Sequence, residues 1–302
     1  MLSISTSWNS NADTNWQEWL TQIKDLGLNS IELSYTLSDT QLKSIEALIK
    51  TMHISVSSIH NFCPIPNDEP SPRHVSNYYR LSSLDDRERA QAIKWTKICI
   101  DTAVRVGAKV VVIHAGTLEL ADDPSIVLIK LFKEGKKDSD EFKQARERLI
   151  AVREAHRAPY IKALEKSLFE VVNYAKQKEI KIGLETRYYP IEMPNYDEID
   201  YFLNLFGSYG MYYWHDVGHA QMQQKLGLAQ HKDFLSRYKD RMIGVHLHGM
   251  KEARDHLAPF DGDLDLTEIL PLLKDNIYRV IEARYATLEQ IKTAVDKLST
   301  RK

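Results

Sequence analysis

Cysteine is scarce in this chain. Only Cys63 and Cys99 occur in 302 residues, too few for a disulfide framework or a zinc-finger spacing, which suits a reducing compartment. No apolar run approaches the roughly 20 residues needed to cross a bilayer, so no membrane span is expected. The amino-terminal stretch MLSISTSWNSN lacks the basic region and apolar run of a secretory signal. These absences together lead us to expect a cytoplasmic protein. An excess of charge of one sign is also missing. The 40 Lys and Arg against 42 Asp and Glu leave a formal net charge of −2, which gives no general attraction for nucleic acid or an anionic membrane. Finally, the first strand-to-helix turn, TSWNSNADTN, has no glycine-rich phosphate loop, which argues against an open, doubly wound nucleotide fold.

What the chain does contain is alternation. Strand-like stretches at 2–8, 29–35, 54–60, 108–114, 179–185, 241–248 and 277–282, with one more ending at Asp216, are separated by helix-like stretches. Trp16, Trp19, Leu20 and Ile23 show the helical spacing within 15–27. The other helices are expected at 39–52, 84–106, 159–178, 196–206, 219–239 with a break near Gly227, 266–274 and 287–298. Val110, Val111, Val112 and Ile113 are β-branched in a row, the mark of a strand buried on both faces in a parallel sheet. Pro64, Pro66, Pro70 and Pro72 rule out regular structure in the loop after the third strand. Residues 117–158 are surplus to a strand–helix repeat. They are charged and hold a helix at 139–157, and Pro159 is placed to start the next one. Eight strands alternating with helices predict a parallel sheet. The length fits a closed (β/α)₈ TIM barrel of about 250 residues plus one helical insertion, read as one domain over 1–302.

Polar residues at the carboxyl ends of such strands mark the active site. Here they are His60, His114, Glu185, Asp216 with His219, His246 with His248, and Glu282. Parity along the strands aligns Val110 and Val112 with His114, Val280 with Glu282, and His246 with His248. Each imidazole alone reads as a hydrogen-bonded core histidine. A carboxylate ending an apolar strand is costly unless it is paired or metal-bound, so Glu185 and Glu282 are the harder pair to dismiss. Glu32, near the end of the second strand, reads more simply as bonding a neighbouring loop. The joint pattern predicts a divalent-metal site. Mixed imidazole and carboxylate ligands accept manganese, zinc, magnesium or cobalt.

The strings IGLET (182–186), WHDVGHA (214–220), GVHLHG (244–249), RDHLAPFDGDLD (254–265) and VIEARY (280–285) resemble the xylose-isomerase-like TIM barrel superfamily. That group includes sugar and polyol isomerases, epimerases and dehydratases, and the zinc-dependent apurinic endonuclease IV. In the isomerase and epimerase branch the resemblance implies one ion held by Glu185, Asp216, His246 (with His248 sharing its face) and Glu282. Glu185 and Glu282 would transfer protons beside a metal-polarised carbonyl, and His219 would contact a sugar or polyol substrate. His248, His114 and Trp8 join His219 as candidate substrate contacts, and Arg187 is suited to steady an oxyanion. Aromatic residues near the mouth (Trp8, Phe62, Tyr188, Tyr189 and Trp214) suit packing on a sugar face, although the parity of Trp214 also suits filling the barrel.

In the endonuclease branch the resemblance implies a zinc phosphodiesterase with three ions, whose matching positions add His60, His114, His219 and His256. Arg254 stands where that branch has a ligand aspartate, which argues against a third zinc. The rim loops show no basic stripe, so a nucleic-acid partner is not expected. The leading expectation is therefore a metal-dependent sugar or polyol isomerase or epimerase, with a related dehydratase and the phosphodiesterase as alternatives. The insertion, on the active-site side, would be a lid, a contact in a homo-oligomer, or a solvated helical excursion.

Overall fold

The β-branched and apolar runs form eight parallel strands that close on one another in the computed structural model, which describes residues 1–67 and 77–299. In chain order the elements are β1 (Leu2–Ser5), α1 (Trp16–Asp25), β2 (Ser30–Leu33), α2 (Asp39–Thr51), β3 (Ser55–His60), α3 (Asp86–Val106), β4 (Val110–Ile113) and β5 (Gly116–Thr117). There follow α4 (Pro124–Lys133), α5 (Asp140–Gln177), β6 (Lys181–Glu185), β7 (Glu192–Met193), α6 (Tyr196–Phe206), β8 (Met211–Asp216), α7 (Val217–Lys225) and α8 (His231–Tyr238). The chain continues with β9 (Met242–Leu247), β10 (Gly249–Lys251), β11 (Arg254–Leu257), α9 (Leu266–Ile269), β12 (Tyr278–Ile281) and α10 (Leu288–Ser299). The barrel order is β1-β12-β9-β8-β6-β4-β3-β2. This is a (β/α)₈ barrel. Pro70 and Pro72 of the proline-rich loop lie outside the described residues.

The barrel interior is closely packed. Val110, Val112, Trp214, Ile243 and Val280 form one apolar cluster inside the strands, separate from the larger core between strands and helices. Trp214 fills this space because its neighbours leave room for it. A Cβ at Gly244 would stand 2.1 Å from the indole ring and one at Gly183 3.1 Å from it. The indole therefore lies across two strands, which settles its place in the packed floor beneath the site.

Two expectations need correction. Pro159 does not begin a helix: α5 runs without interruption for 38 residues through it. Contacts on both sides outweigh the lost backbone bond. The Arg153 guanidinium donates to Glu198 at 2.6 Å and to the Pro190 carbonyl at 2.9 Å, and the Tyr160 hydroxyl donates to the Glu119 carbonyl at 2.9 Å. Pro159 itself faces solvent, where water can take the freed carbonyl. The insertion holds a further helix, α4, which starts at Pro124 behind an Asp123 cap. It is also not merely solvated, since Leu128, Phe142 and Leu149 are buried. The loops also carry two short antiparallel pairs, β5 with β7 and β10 with β11. The break at Gly227 is present, with Gly227 in the left-handed region between α7 and α8.

Replacing Gly244 with alanine should test the Trp214 packing. Overpacking a core costs about 1–3 kcal/mol, so the urea midpoint of G244A should fall measurably. An unchanged midpoint would mean the indole moves aside freely.

Candidate metal centre and cavity

β6, β8, β9 and β12 are consecutive neighbours in the barrel, and their last residues converge. Asp216 pairs in register with His246, and His246 with Val280, two residues before Glu282. Glu185, Asp216, His246 and Glu282 each offer one ligand atom within 4.8 Å of the others. His246 Nδ1 lies 2.7 Å from Glu185 Oε1, 3.2 Å from Glu282 Oε2 and 3.6 Å from Asp216 Oδ2. Donor atoms each held about 2.1 Å from one divalent ion would stand apart by separations of this size. Three carboxylates and one imidazole, none more than 2 % exposed, are also the donor chemistry such an ion takes. The residues fit the group that the sequence implies.

The electrostatics agree. Burial opposes ionisation of Glu185, but His114 and His246 outweigh it and hold the carboxyl well below its usual range. Asp216 is likewise held well below, burial being overcome by His219 and His248. Glu282 is brought down to about 2 against burial, chiefly by His246 and His256. The complement is seen in His246: burial disfavours its charge, yet Glu32, Glu282 and Glu185 hold it well above its ordinary value. Positive charge is drawn to the point where a cation would sit.

A cavity of about 370 Å³ opens over this centre. Glu185, Glu282, His60, His114, His219 and His256 reach it from the strand ends and the loop after β9. His60 and His114 both contact Glu185 Oε2, at 3.3 and 2.6 Å. Burial, and then Arg187, push His114 down to about 3, so it is neutral at pH 7. Arg187 is not a solvated surface arginine. It is 5 % exposed, lines the cavity, and its guanidinium donates to Glu185 at 3.2 Å and to Glu192 at 2.6 Å. The Thr186 carbonyl accepts from His219 Nδ1 at 2.8 Å, which leaves Nε2 facing the cavity. From the insertion, Ile129 and Lys133 of α4 complete part of the wall.

The Asp-Val-Gly-His string has a direct structural reason. Asp216 ends β8, caps α7 by accepting the His219 backbone N–H at 2.7 Å, and turns its other oxygen toward His246. Gly218 is required because a Cβ there would stand 2.2 Å from the His248 ring.

This chain matches the family model described as xylose isomerase-like TIM barrel over residues 20–299. The chain belongs to the xylose isomerase-like TIM barrel family. A curated relative, the uncharacterized protein y4fM of Sinorhizobium fredii (strain NBRC 101917 / NGR234), is 23% identical over 256 residues, which is 82% of this chain and 71% of that one. Among crystal structures, 3-keto-D-glucoside 4-epimerase YcjR from E. coli superimposes with a TM-score of 0.66 at 13% identity, covering 99% of this chain and 98% of that one. D-psicose 3-epimerase from Clostridium cellulolyticum H10, solved with D-tagatose, gives 0.67 at 13% identity over 98% and 97%. D-allulose 3-epimerase from Methylomonas sp., in complex with D-allulose, gives 0.67 at 14% identity over 100% and 96%. At these identities the structural likeness establishes the fold.

Within this family barrel two expected substrate contacts lie elsewhere. Trp8 is fully buried, donates its indole N–H to the Ala286 carbonyl at 2.9 Å and packs on Trp19, so it belongs to the core beside the mouth. His248 is also fully buried and does not line the cavity. Its Nδ1 accepts the His256 backbone N–H at 3.0 Å, so its Nε2–H donates to Asp216 at 3.0 Å. It holds the aspartate in place. Shared parity with His246 could not reveal this, because His248 lies one residue beyond the end of β9.

Three residues that sequence reasoning passed over or discounted also belong here. Asp255 lies 3.1 Å from His256 Nδ1 and 3.8 Å from His219 Nε2, a carboxylate beside two imidazoles of the cavity. Arg254 itself stacks over Tyr285. Glu192, from the short strand β7, anchors Arg187, and no periodic pattern in its loop could have flagged it. Glu32 is fully buried and contacts His246 rather than a neighbouring loop.

Gly218→Ala should displace His248 and free Asp216 from one of its two holders. We expect a loss of about 1–3 kcal/mol in urea denaturation and, in a crystal structure of the variant, a rotated His248 ring. An unmoved ring would refute the steric reading of this glycine.

Proposed function

We propose that the chain is a divalent-metal-dependent sugar or polyol isomerase or epimerase. One observation carries the reading: Glu185 and Glu282 both belong to one tight four-residue cluster of candidate ligand atoms and both line the cavity above it. Two ionised carboxylates at one small cavity suit removal of a proton from carbon and its return. The bound ion would supply Lewis-acid polarisation of a carbonyl and its adjacent hydroxyl. Four cationic or N–H groups (His60, His114, Arg187 and His246) fix the orientation of Glu185. His256 Nε2 stands 3.6 Å from Glu282 Oε2, near enough for charge attraction between them. The His219 Nε2 edge and Tyr188 offer a polar and an apolar contact for a hydroxylated ligand. A dehydratase acting on related polyols would begin with the same proton abstraction.

A second reading has a specific observation behind it. His60, His114 and Glu185 form a further cluster of candidate ligand atoms, and Asp216, His219 and His256 another, so the donors for more than one ion, as in a zinc phosphodiesterase, lie at one mouth. Charge favours the first reading. Among the described residues that line the cavity, Lys133, Arg187 and Arg284 are outnumbered by Glu185, Glu192, Asp255 and Glu282, and Arg187 is consumed by two of those acids. A phosphate-holding rim requires surplus cations.

Elemental analysis of protein purified without chelator should find about one divalent ion per chain. With the ion restored, ketoses in deuterium oxide should exchange the proton on the carbon next to the carbonyl. Chelator should stop this, and Glu185→Gln at saturating metal should slow it by about 10²–10⁴-fold. Three zinc ions per chain with cleavage of abasic DNA and no exchange would replace the isomerase reading with the hydrolase one.

A further inference from the structure

Glu32 does not line the cavity and is not one of the four residues of the centre beneath it. It sits at the end of β2, fully buried, on the opposite side of the barrel mouth from β9. An isolated buried carboxylate is costly, so its partners define its purpose. They are few. Ser58 donates its hydroxyl to Glu32 Oε2 at 2.7 Å, and the His246 Nε2 edge meets both carboxylate oxygens at 3.2 Å. Among the described residues no lysine or arginine pairs with it.

The backbone is shaped to aim this carboxylate. The β2–β3 register runs Ile31 to Val56 and then jumps to Glu32 opposite Ser58, so an extra residue is accommodated in β3. Without that shift Ser57 would stand opposite Glu32. Ser57 instead bonds Ser3 and the Ile31 carbonyl.

The consequence falls on the two nitrogens of His246. Nδ1 faces Glu185, Glu282 and Asp216, where the ion would bind. Nε2 faces only Glu32. Both nitrogens therefore meet carboxylates, and an ion bound at Nδ1 would take the place of a proton there, while the bond from Nε2–H to Glu32 keeps the remaining proton on the far nitrogen. Trp214 edge-on at 5.1 Å and His60 stacked at 5.7 Å fix the ring plane, but neither distinguishes one nitrogen from the other.

We propose that Glu32 is a positioning residue for the metal: through its bond to Nε2 it fixes the tautomer and orientation of His246 so that Nδ1 is presented to the ion. This rests on the reading that a divalent ion binds the four-residue centre. Glu32 touches neither ion nor substrate.

The test uses zinc as the probe, with affinity measured by competition against a chromophoric chelator. Loss of such a partner costs about 10- to 100-fold in metal affinity, so Glu32→Ala should weaken zinc binding by that factor. Glu32→Gln keeps an oxygen to accept from Nε2–H and should stay within about threefold of the parent chain. The second readout is nuclear magnetic resonance on zinc-loaded protein with ¹⁵N-labelled histidine. A slowly exchanging His246 Nε2–H should appear in the parent and in E32Q, and vanish in E32A. If E32A fails to fold, Ser58→Ala removes only the hydroxyl that steadies Glu32 and should shift both readouts in the same direction. Parental zinc affinity with a retained Nε2–H signal in E32A, or in S58A where that is the variant used, would overturn the proposal. Equal losses in E32A and E32Q would also overturn it. A parent chain that takes up no divalent ion would instead remove the metal reading itself, and this role with it.

Discussion

Four carboxylates, Glu32, Glu185, Asp216 and Glu282, are buried together at one end of the barrel, none more than 2 % exposed. Such a cluster is self-repelling and deprived of water, so it persists only if positive charge or N–H donors are placed among them. His246 meets all four. Around it His60, His114, His248, His256 and Arg187 each take at least one carboxylate. A packed apolar floor of valines and Trp214 keeps solvent from entering below. The site is therefore an acidic core ringed by imidazoles, and a divalent cation is the most economical charge to complete it.

Much of this was legible in the chain because barrel strands impose order. Strand ends share one face of the fold, so carboxylates and imidazoles at Glu185, Asp216, His246 and Glu282 had to meet once the strands closed. The β-branched run of β4 and the strand parity of Val110, Val112 and Val280 located the floor. What escaped were features set by three-dimensional contact. Pro159 has the signature of a helix start, but Arg153 and Tyr160 anchor α5 on both sides of it. Trp8 sits near the mouth in sequence order, yet its indole N–H finds a carbonyl at Ala286 and turns it inward. Glu32 looked incidental because its partner lies 214 residues away.

Loop geometry hid the rest. The β10–β11 hairpin turns Asp255 toward His219 and His256 and Arg254 toward Tyr285. Spacing counted in residues is a poor guide to distance inside a hairpin with a register shift between Gly249 and Lys251. The same loop bears on the choice between one ion and several, since Asp255 adds a carboxylate beside two imidazoles. Branches of one family can thus differ in chemistry through a rim loop while sharing the four-residue centre, consistent with function residing in the site rather than the fold.

Asp216 shows how closely folding and chemistry are tied here. One of its oxygens accepts from the His219 backbone and from His248, ending the strand and starting α7. The other is aimed at the point that His246 Nδ1 also faces. His248 can approach only because residue 218 has no side chain, and His219 is turned by the carbonyl of Thr186, the neighbour of Glu185. A change at any of these positions would move a ligand, a cap and a cavity wall together. The strand-to-helix turn thus orients the carboxylate in the same step that buries it.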